Sequence, residues 1–292
     1  MYTLILNPIS GHEHALKVLP SVEALLQRRA LAYCVKRSSQ SEGITAIAAR
    51  AAAKKPEGII AIGGDGTLFE IVNGLPPRCD VPLLFVSCGT GNDFIKSLKL
   101  PRDPIAALEL QLDAPVKRID LCRMNDLHFL NVAGTGFDVD VLNCLDKYKS
   151  KYTGLRAYMR ALVDAVKHYR PTVAQVSIDD GPEQEMAFAI LSIGNGRYIG
   201  GGMKAVPDAL VDDGLFDVVI VKPVRRRTIL PLIAFFVGGQ HVRFGLGRAM
   251  RCKRLRIRCS GMTVNMDGEL RNTDTAEFEL IPGGLCVRVP EE

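Results

Sequence analysis

Residues 58–74 run GIIAIGGDGTLFEIVNG, and the order of residue types in that stretch decides the fold. Gly58 to Gly64 is a short, continuous apolar run of the kind buried on both faces of a parallel sheet. From Thr67 to Leu75 the apolar residues recur at helical spacing, and the segment stops at Gly74 with two prolines just beyond. Strand, glycine turn and helix in that order are half of a βαβ unit. The turn Gly63-Gly64-Asp65-Gly66-Thr67 presents backbone N–H groups at a helix N-terminus, where phosphate oxygens bind without a side-chain cation. Asp65 cannot touch a phosphate directly, because both are negative; Mg²⁺ between them would give the acid a purpose. The same residues also fit a plain packing turn with Asp65 as a cap, and the loop alone leaves both readings open. It has no Lys-Ser/Thr for a Walker A loop and matches the dinucleotide fingerprint poorly.

Working outward, the first third alternates strand and helix. Apolar strands are expected at 2–8 and 81–89, and helices at 13–29, 44–54 and 104–112. That alternation predicts a doubly wound parallel α/β domain over residues 1–122. After about Lys117 the texture changes to short strands separated by turn residues, with helical patterns only at 138–169 and 228–240. Residues 123–292 are therefore expected to form an antiparallel β-sandwich, the last of them packing back on the first domain.

Bulk properties narrow the class. The 292 residues are 47% hydrophobic and 24% charged, ordinary for a globular protein, with no Trp. Eight scattered cysteines show no C-x-x-C or metal-like spacing, and the N-terminus MYTLILNPISG lacks the regions of a signal peptide, so reduced thiols and a cytoplasmic location are expected. No apolar run reaches the length of a spanning helix. The net charge of +5 is unevenly spread: Val218 to Met266 holds eleven Lys and Arg and no acid, which predicts an anionic partner surface. No nucleic-acid motif accompanies it.

A second loop, SCGTGNDF at 87–94, again follows a buried strand and again ends in an acid, Asp93; Asp120 lies in the next strand. Asp65, Asp93 and Asp120 would then line the crevice where open α/β sheets bind ligands. At this point the sequence resembles the diacylglycerol kinase catalytic family, which includes bacterial soluble diacylglycerol kinases, related lipid kinases, and sphingosine and ceramide kinases. The segments carrying the resemblance are NPISG (7–11), GGDGTLFEIVNG (63–74), GTGNDF (89–94), NVAGTGFD (131–138), GNGRYIGGGM (194–203), PDALVDDGLFDV (207–218) and MDGE (266–269). They span nearly the whole chain in the family's order.

The resemblance implies an NAD kinase-like first domain and an ATP- and Mg²⁺-dependent kinase acting on a lipid hydroxyl, diacylglycerol first. It implies nucleotide contacts from Asn7, Pro8, Ser10, Gly11, Ser38, Gly63, Gly64, Asp65, Gly66, Thr67, Glu70 and Thr90. Asp65, Asp93 and Asp120 would hold the catalytic Mg²⁺ through water, and a second, structural Mg²⁺ would take the Leu210 carbonyl, the Asp213 carboxylate and the Leu215 carbonyl. Asp267 and Glu269 are the expected base pair, since positions i and i+2 of an extended segment share a side and close carboxylates raise one pKa. MDGE is equally good hairpin-turn chemistry. Two departures stand out: Phe69 occupies a position that is usually Asn, with loss of a polar contact expected near the phosphates, and Ser87-Cys88 replaces a proline-containing entry to the second loop.

The basic window then gains a use. Arg225, Arg226 and Arg227 stand beside a short apolar helix, an arrangement suited to peripheral docking at the inner, anionic face of a membrane. The competing readings are an NAD kinase-like phosphotransferase with a soluble substrate, and an anionic-membrane binding module without catalysis. Oligomeric state stays open, with a homodimer as the default guess.

Overall fold

A computed structural model describes residues 1–11, 13–149, 151–152 and 154–290. The first part contains β1 (Tyr2–Leu6), α1 (His14–Arg28), β2 (Tyr33–Arg37), α2 (Ile44–Ala53), β3 (Gly58–Gly63), α3 (Asp65–Gly74), β4 (Cys79–Ser87), α4 (Asp93–Ser97) and α5 (Pro104–Asp113). β1, β2, β3 and β4 pair in parallel in the order β4-β3-β1-β2. One face of this sheet packs on α2 and α3 through Ile47, Ile59, Ile71 and Phe85; the other packs on α1 and α5 through Leu4, Leu25, Ile60 and Leu108. The order reverses direction between β1 and β3, so the turns leaving those two strands flank the crevice where such sheets bind ligands.

The remainder contains β5 (Val116–Met124), β6 (Leu127–Phe129), β7 (Val132–Gly136), α6 (Phe137–Lys149), α7 (Gly154–His168), β8 (Thr172–Ile178), β9 (Gln184–Phe188), β10 (Ile190–Gly194), β11 (Tyr198–Ile199), β12 (Met203–Lys204), β13 (Phe216–Val221), α8 (Arg226–Val237), β14 (Gly247–Cys252), β15 (Arg254–Met266) and β16 (Glu269–Arg288). Its strands pair antiparallel and enclose an aliphatic and Phe-rich core with Phe129, Phe188, Phe216 and Phe278. The fold is thus an α/β part followed by an antiparallel β part, as expected. β16 joins them: its early residues pair with β15, and Leu285 and Val287 pair in parallel with β4. One hydrogen-bonded sheet therefore runs through both parts, in the order β14-β13-β10-β7-β15-β16-β4-β3-β1-β2.

Several boundaries differ from the sequence reading, for physical reasons. The helix after the glycine turn starts at Asp65 instead of Thr67, so Asp65 and Gly66 sit inside its first turn. β15 and β16 are long strands, each broken by an irregularity, at 258–262 and 281–285, which the eye divides into separate strands at the turn-forming residues Ser260-Gly261 and Pro282-Gly283-Gly284. The helical stretch at 138–169 is two helices; residues 150 and 153, within it, lie outside the described residues. Phe69 has a packing role that the sequence reading did not foresee. Its ring, on the second turn of α3, is buried in the core of the β part with the Arg271 guanidinium over it, so it packs the two halves together. Among the described residues no helix is long and apolar enough to cross a membrane.

Candidate active site

The two glycine loops meet face to face at the C-terminal ends of β3 and β4. The Cys88 amide donates to the Gly63 carbonyl at 2.8 Å, and the Gly64 amide donates to the Ser10 hydroxyl at 3.0 Å, tying the turn after β1 to the turn after β3. Asn7 Nδ2 donates to the Thr67 hydroxyl at 3.2 Å. α3 begins without a side-chain cap, which leaves its first-turn amides directed at the crevice. Asn7, Pro8, Ser10, Gly11, Gly63, Gly64, Gly66, Thr67 and Thr90 therefore lie on the turns surrounding one helix N-terminus. Ser38 follows β2, its amide bonded to the Leu6 carbonyl, and Glu70 lies one turn along α3, where burial and the charge of Glu269 raise its carboxyl above the usual range.

Asp65 spans the loops. Both of its carboxylate oxygens accept the Asp93 amide, at 2.9 and 3.1 Å, and one also takes the Phe94 amide at 3.4 Å, so Asp65 caps α4. Burial, with the nearby Asp93 charge, holds Asp65 above the ordinary carboxylate range. Asp93 accepts the Gly201 amide at 2.7 Å and pairs with Lys96 at 2.8 Å. Lys96 also donates to the Gly91 carbonyl, placing a cation beside the loops that the sequence reading missed, although Asp93 and Lys96 stand three apart on a helix. Gly91 lies between the two acids, and a Cβ there would come within 2.8 Å of an Asp65 oxygen and 3.5 Å of an Asp93 oxygen. Two carboxylates, hard oxygen donors, thus flank Gly91, and such a pair suits Mg²⁺, which takes one or two carboxylates and completes its shell with phosphate and water.

Asp120 is not part of this pair. It sits on β5 with its carboxylate on the Gly214 and Gly283 amides, at 2.7 and 2.8 Å, close to Asp212 and Asp213. The residues expected to hold a second metal share one loop, Leu210 to Leu215, ahead of β13. The Asp213 carboxylate accepts the Leu215 amide at 3.1 Å and Arg251 at 2.7 Å, so the arginine already supplies a cation beside the Leu210–Leu215 loop. Among the described residues no group of three or more metal-ligating side chains forms a cluster.

The expected Asp267–Glu269 unit is also corrected. Asp267 (φ 50°) and Gly268 (φ 99°) form a two-residue hairpin turn between β15 and β16, with Met266 opposite Glu269, so the extended i, i+2 geometry is absent. Glu269 faces Gly66, Glu70 and Arg271. Asp267 points the other way, its carboxylate accepting the Leu130 amide at 2.7 Å, the Val132 amide at 3.0 Å and the Asn131 amide at 3.1 Å. Burial, aided by the Asp65 charge and opposed by those amides, pushes its pKa up to about 7.

Asp267 looks into a cavity of about 400 Å³. Asp65, Thr90, Gly91 and Asp93 line one end; Phe137, Val141, Leu162, Ile233 and Phe236, from α6, α7 and α8, line the other. Between them stand Asp267, Asn265 and Asp138, the last residue of the NVAGTGFD segment, whose role the residue pattern alone does not reveal. Burial raises Asp138 to about 6, and its Oδ1 has no solvent contact and no hydrogen-bond partner. Asn265 hydrogen-bonds Asp138 and accepts the Gly268 amide at 2.9 Å, coupling that acid to the Asp267 turn. Chemically, the arrangement offers helix N-terminal amides for phosphate, carboxylates for a hard cation, a near-neutral acid, and an apolar hollow.

Comparison with known proteins finds relatives along nearly the whole chain. Residues 1–124 match the diacylglycerol kinase catalytic domain, and residues 131–289 match the YegS C-terminal NAD kinase beta sandwich-like domain. The chain is 36% identical over 239 residues to a Pseudomonas fluorescens protein named "Probable lipid kinase YegS-like", covering 80% of this chain and 78% of that one. It is 29% identical over 294 residues to a diacylglycerol kinase of Mycobacterium tuberculosis, covering 99% and 94%. A Bacillus anthracis crystal structure described as "a putative diacylglycerol kinase" superposes with a TM-score of 0.76 at 26% identity, covering 99% and 97%. An Archaeoglobus fulgidus NAD kinase, solved in complex with ATP, shares the fold at a TM-score of 0.54 and 13% identity, covering 100% and 94%. With both halves matched in order and over nearly their whole length, the chain belongs to the diacylglycerol kinase family of lipid kinases.

Proposed function

We propose that the protein transfers the γ-phosphoryl group of Mg–ATP to a lipid hydroxyl, with diacylglycerol, giving phosphatidic acid, as the first acceptor. The observation supporting this most directly is one continuous cavity lined by Asp65, Thr90, Gly91 and Asp93 from the two loops, by Asp267, and by apolar side chains of α6, α7 and α8. A soluble acceptor would have no use for walls of Phe137, Val141, Leu162 and Phe236.

The nucleotide phosphates would lie on the first-turn amides of α3, framed by Asn7, Ser10, Gly64, Thr67 and Thr90. Asp65 and Asp93 would hold Mg²⁺ through water, and the bound ion would neutralise charge on the transferring phosphoryl group. Asp267 would accept the proton of the lipid hydroxyl as that oxygen attacks. A pKa near 7 suits a general base, because the carboxylate is substantially ionised at neutral pH and basic enough to take a proton.

The reading is tested by incubating the protein with Mg²⁺, ATP and a panel of lipids in mixed micelles, with mass spectrometry of the extract. The expected result is a lipid product one phosphoryl group heavier. Phosphorylation of NAD with no lipid product would overturn it in favour of the NAD kinase-like alternative. The metal assignment has its own check in Asp65→Asn, which keeps an amide acceptor for α4 and removes the charge. The Mg²⁺ concentration for half-maximal rate should rise by roughly tenfold or more, the range for losing an outer-sphere partner. An unchanged Mg²⁺ titration would remove Asp65 from that role.

A further inference from the structure

The cations of the acid-free window divide into two groups once the chain is folded. Arg251 pairs with Asp213 and Asp217, Arg254 with Asp180, Arg256 with Glu183 and Glu277, and Arg258 with Glu183. These strand arginines are balanced by acids from elsewhere in the sequence. Arg225, Arg227 and Arg243 are exposed and form no ion pair with a described residue, and Arg226 is exposed with only its Nε bonded to the Tyr169 carbonyl. Lys222, Arg248 and Lys253 are likewise exposed without an ion pair to a described residue, so of the seven uncompensated cations four, Arg225, Arg226, Arg227 and Arg243, border α8.

α8 has two apolar faces. Ile229, Leu232, Ile233 and Phe236 line the cavity, and only Ile229 is fully buried. On the opposite side Arg227, Leu230, Pro231, Ala234 and Phe235 recur at helical spacing, and every one is exposed or half-buried. Phe244, from the loop after the helix, lies edge-on to Phe235 at 5.2 Å and is 62% exposed. A helix with apolar residues on both sides, a basic N-terminal end and little buried anchoring is poorly matched to water on its outer face. Cations beside that face complement anionic headgroups, and the apolar residues match the acyl boundary beneath them.

We propose that the outer face of α8, together with Phe244 and the rim of Arg225, Arg226, Arg227 and Arg243, is the surface on which the protein rests against an anionic bilayer, and that α8 is the wall separating that bilayer from the cavity. The acceptor then passes from the membrane into the cavity at α8 without crossing water; this second part rests on the lipid-kinase reading, and the first does not.

Sedimentation with vesicles of phosphatidylcholine, with and without phosphatidylglycerol and without ATP, reads the surface independently of turnover. The protein should bind the anionic vesicles. Replacing Arg225, Arg226 and Arg227 together with Ser should weaken binding on the order of a hundredfold at low ionic strength and far less at high salt. Phe235→Ser with Phe244→Ser should weaken it by roughly tenfold or more at both ionic strengths. The Phe variant should phosphorylate a short-chain, water-dispersed acceptor at the wild-type rate while losing activity on vesicles, since neither ring lines the cavity. Unchanged vesicle binding in both variants overturns the proposal. So does loss of self-association in the Phe variant with binding intact, which would make the face an interface between two copies. Normal vesicle binding by a chain that phosphorylates no lipid would leave the surface standing and remove the kinase reading and the entry route together.

Discussion

Asp267→Asn should lower the turnover number by about 10²- to 10⁴-fold, the range for removing a positioned general base, while nucleotide affinity changes little. The substitution is nearly isosteric, and the residue's hydrogen bonds go to the Leu130–Val132 backbone and not to the turns around α3. Two pH measurements bear on the same group. If Asp267 takes the hydroxyl proton, kcat/KM for the wild type rises with pH through about 7 and then levels, and the variant loses that limb. Stability should move the opposite way. The folded pKa lies above the ordinary carboxylate value, so between about pH 4 and 7 the folded chain holds a proton that the unfolded chain has released. This group's contribution therefore falls as pH rises across that window, and Asp267→Asn should flatten part of the slope in a thermal melt. Retained turnover in the variant would move the base role elsewhere, with Asp138 the next group to test because it lines the same cavity.

Asp267 was legible from sequence only in part, and the reason is physical. The residues Met266-Asp267-Gly268-Glu269 are compatible with an extended pair of carboxylates and with a tight hairpin turn, and the sequence pattern does not choose. The choice is made by partners more than a hundred residues away, the amides of Leu130, Asn131 and Val132, which draw the Asp267 carboxylate inward and leave Glu269 on the other side. Asp120 shows the same limit. Three acids at the ends of successive strands suggest one cluster, but β16 inserts between β4 and β15 and pairs with β5, which carries Asp120 to the Gly214 and Gly283 amides. In contrast, β3, α3 and β4 were readable because their signals are local: an apolar run, glycines, then a helical period. Asp138 and Lys96 escaped for the reverse reason. Each stands in an ordinary helical context and acquires meaning only from what the other chain segments place beside it.

The second large effect is expected from a single methyl group at Gly89. A Cβ there would stand 2.7 Å from the Gly64 Cα and 2.9 Å from Asn92 Oδ1, and the reciprocal Cβ on Gly64 would stand 2.9 Å from the Gly89 Cα. The obstructing atom is backbone, so no side chain can rotate away, and the two loops must separate by several tenths of an ångström. That movement pulls on the Cys88–Gly63 bond and on the Asp65 cap of α4, the contacts that fix the glycine turn against the carboxylates. Displacements approaching 1 Å at a positioning element cost on the order of a hundredfold in rate. Gly89→Ala should therefore lower kcat/KM by about that factor, and the thermal midpoint should fall by only a few degrees, because Gly89 lies beyond the last residue of β4 and outside the aliphatic layers on either face of the sheet. Gly43→Ala is the matched control: its Cβ would meet nothing within 4 Å, and its φ of −76° suits any residue. Kinetics and nucleotide titration of the two variants side by side separate loop contact from the generic cost of replacing a glycine. Equal behaviour would mean that the touching of the β3 and β4 loops is not what holds the glycine turn in place.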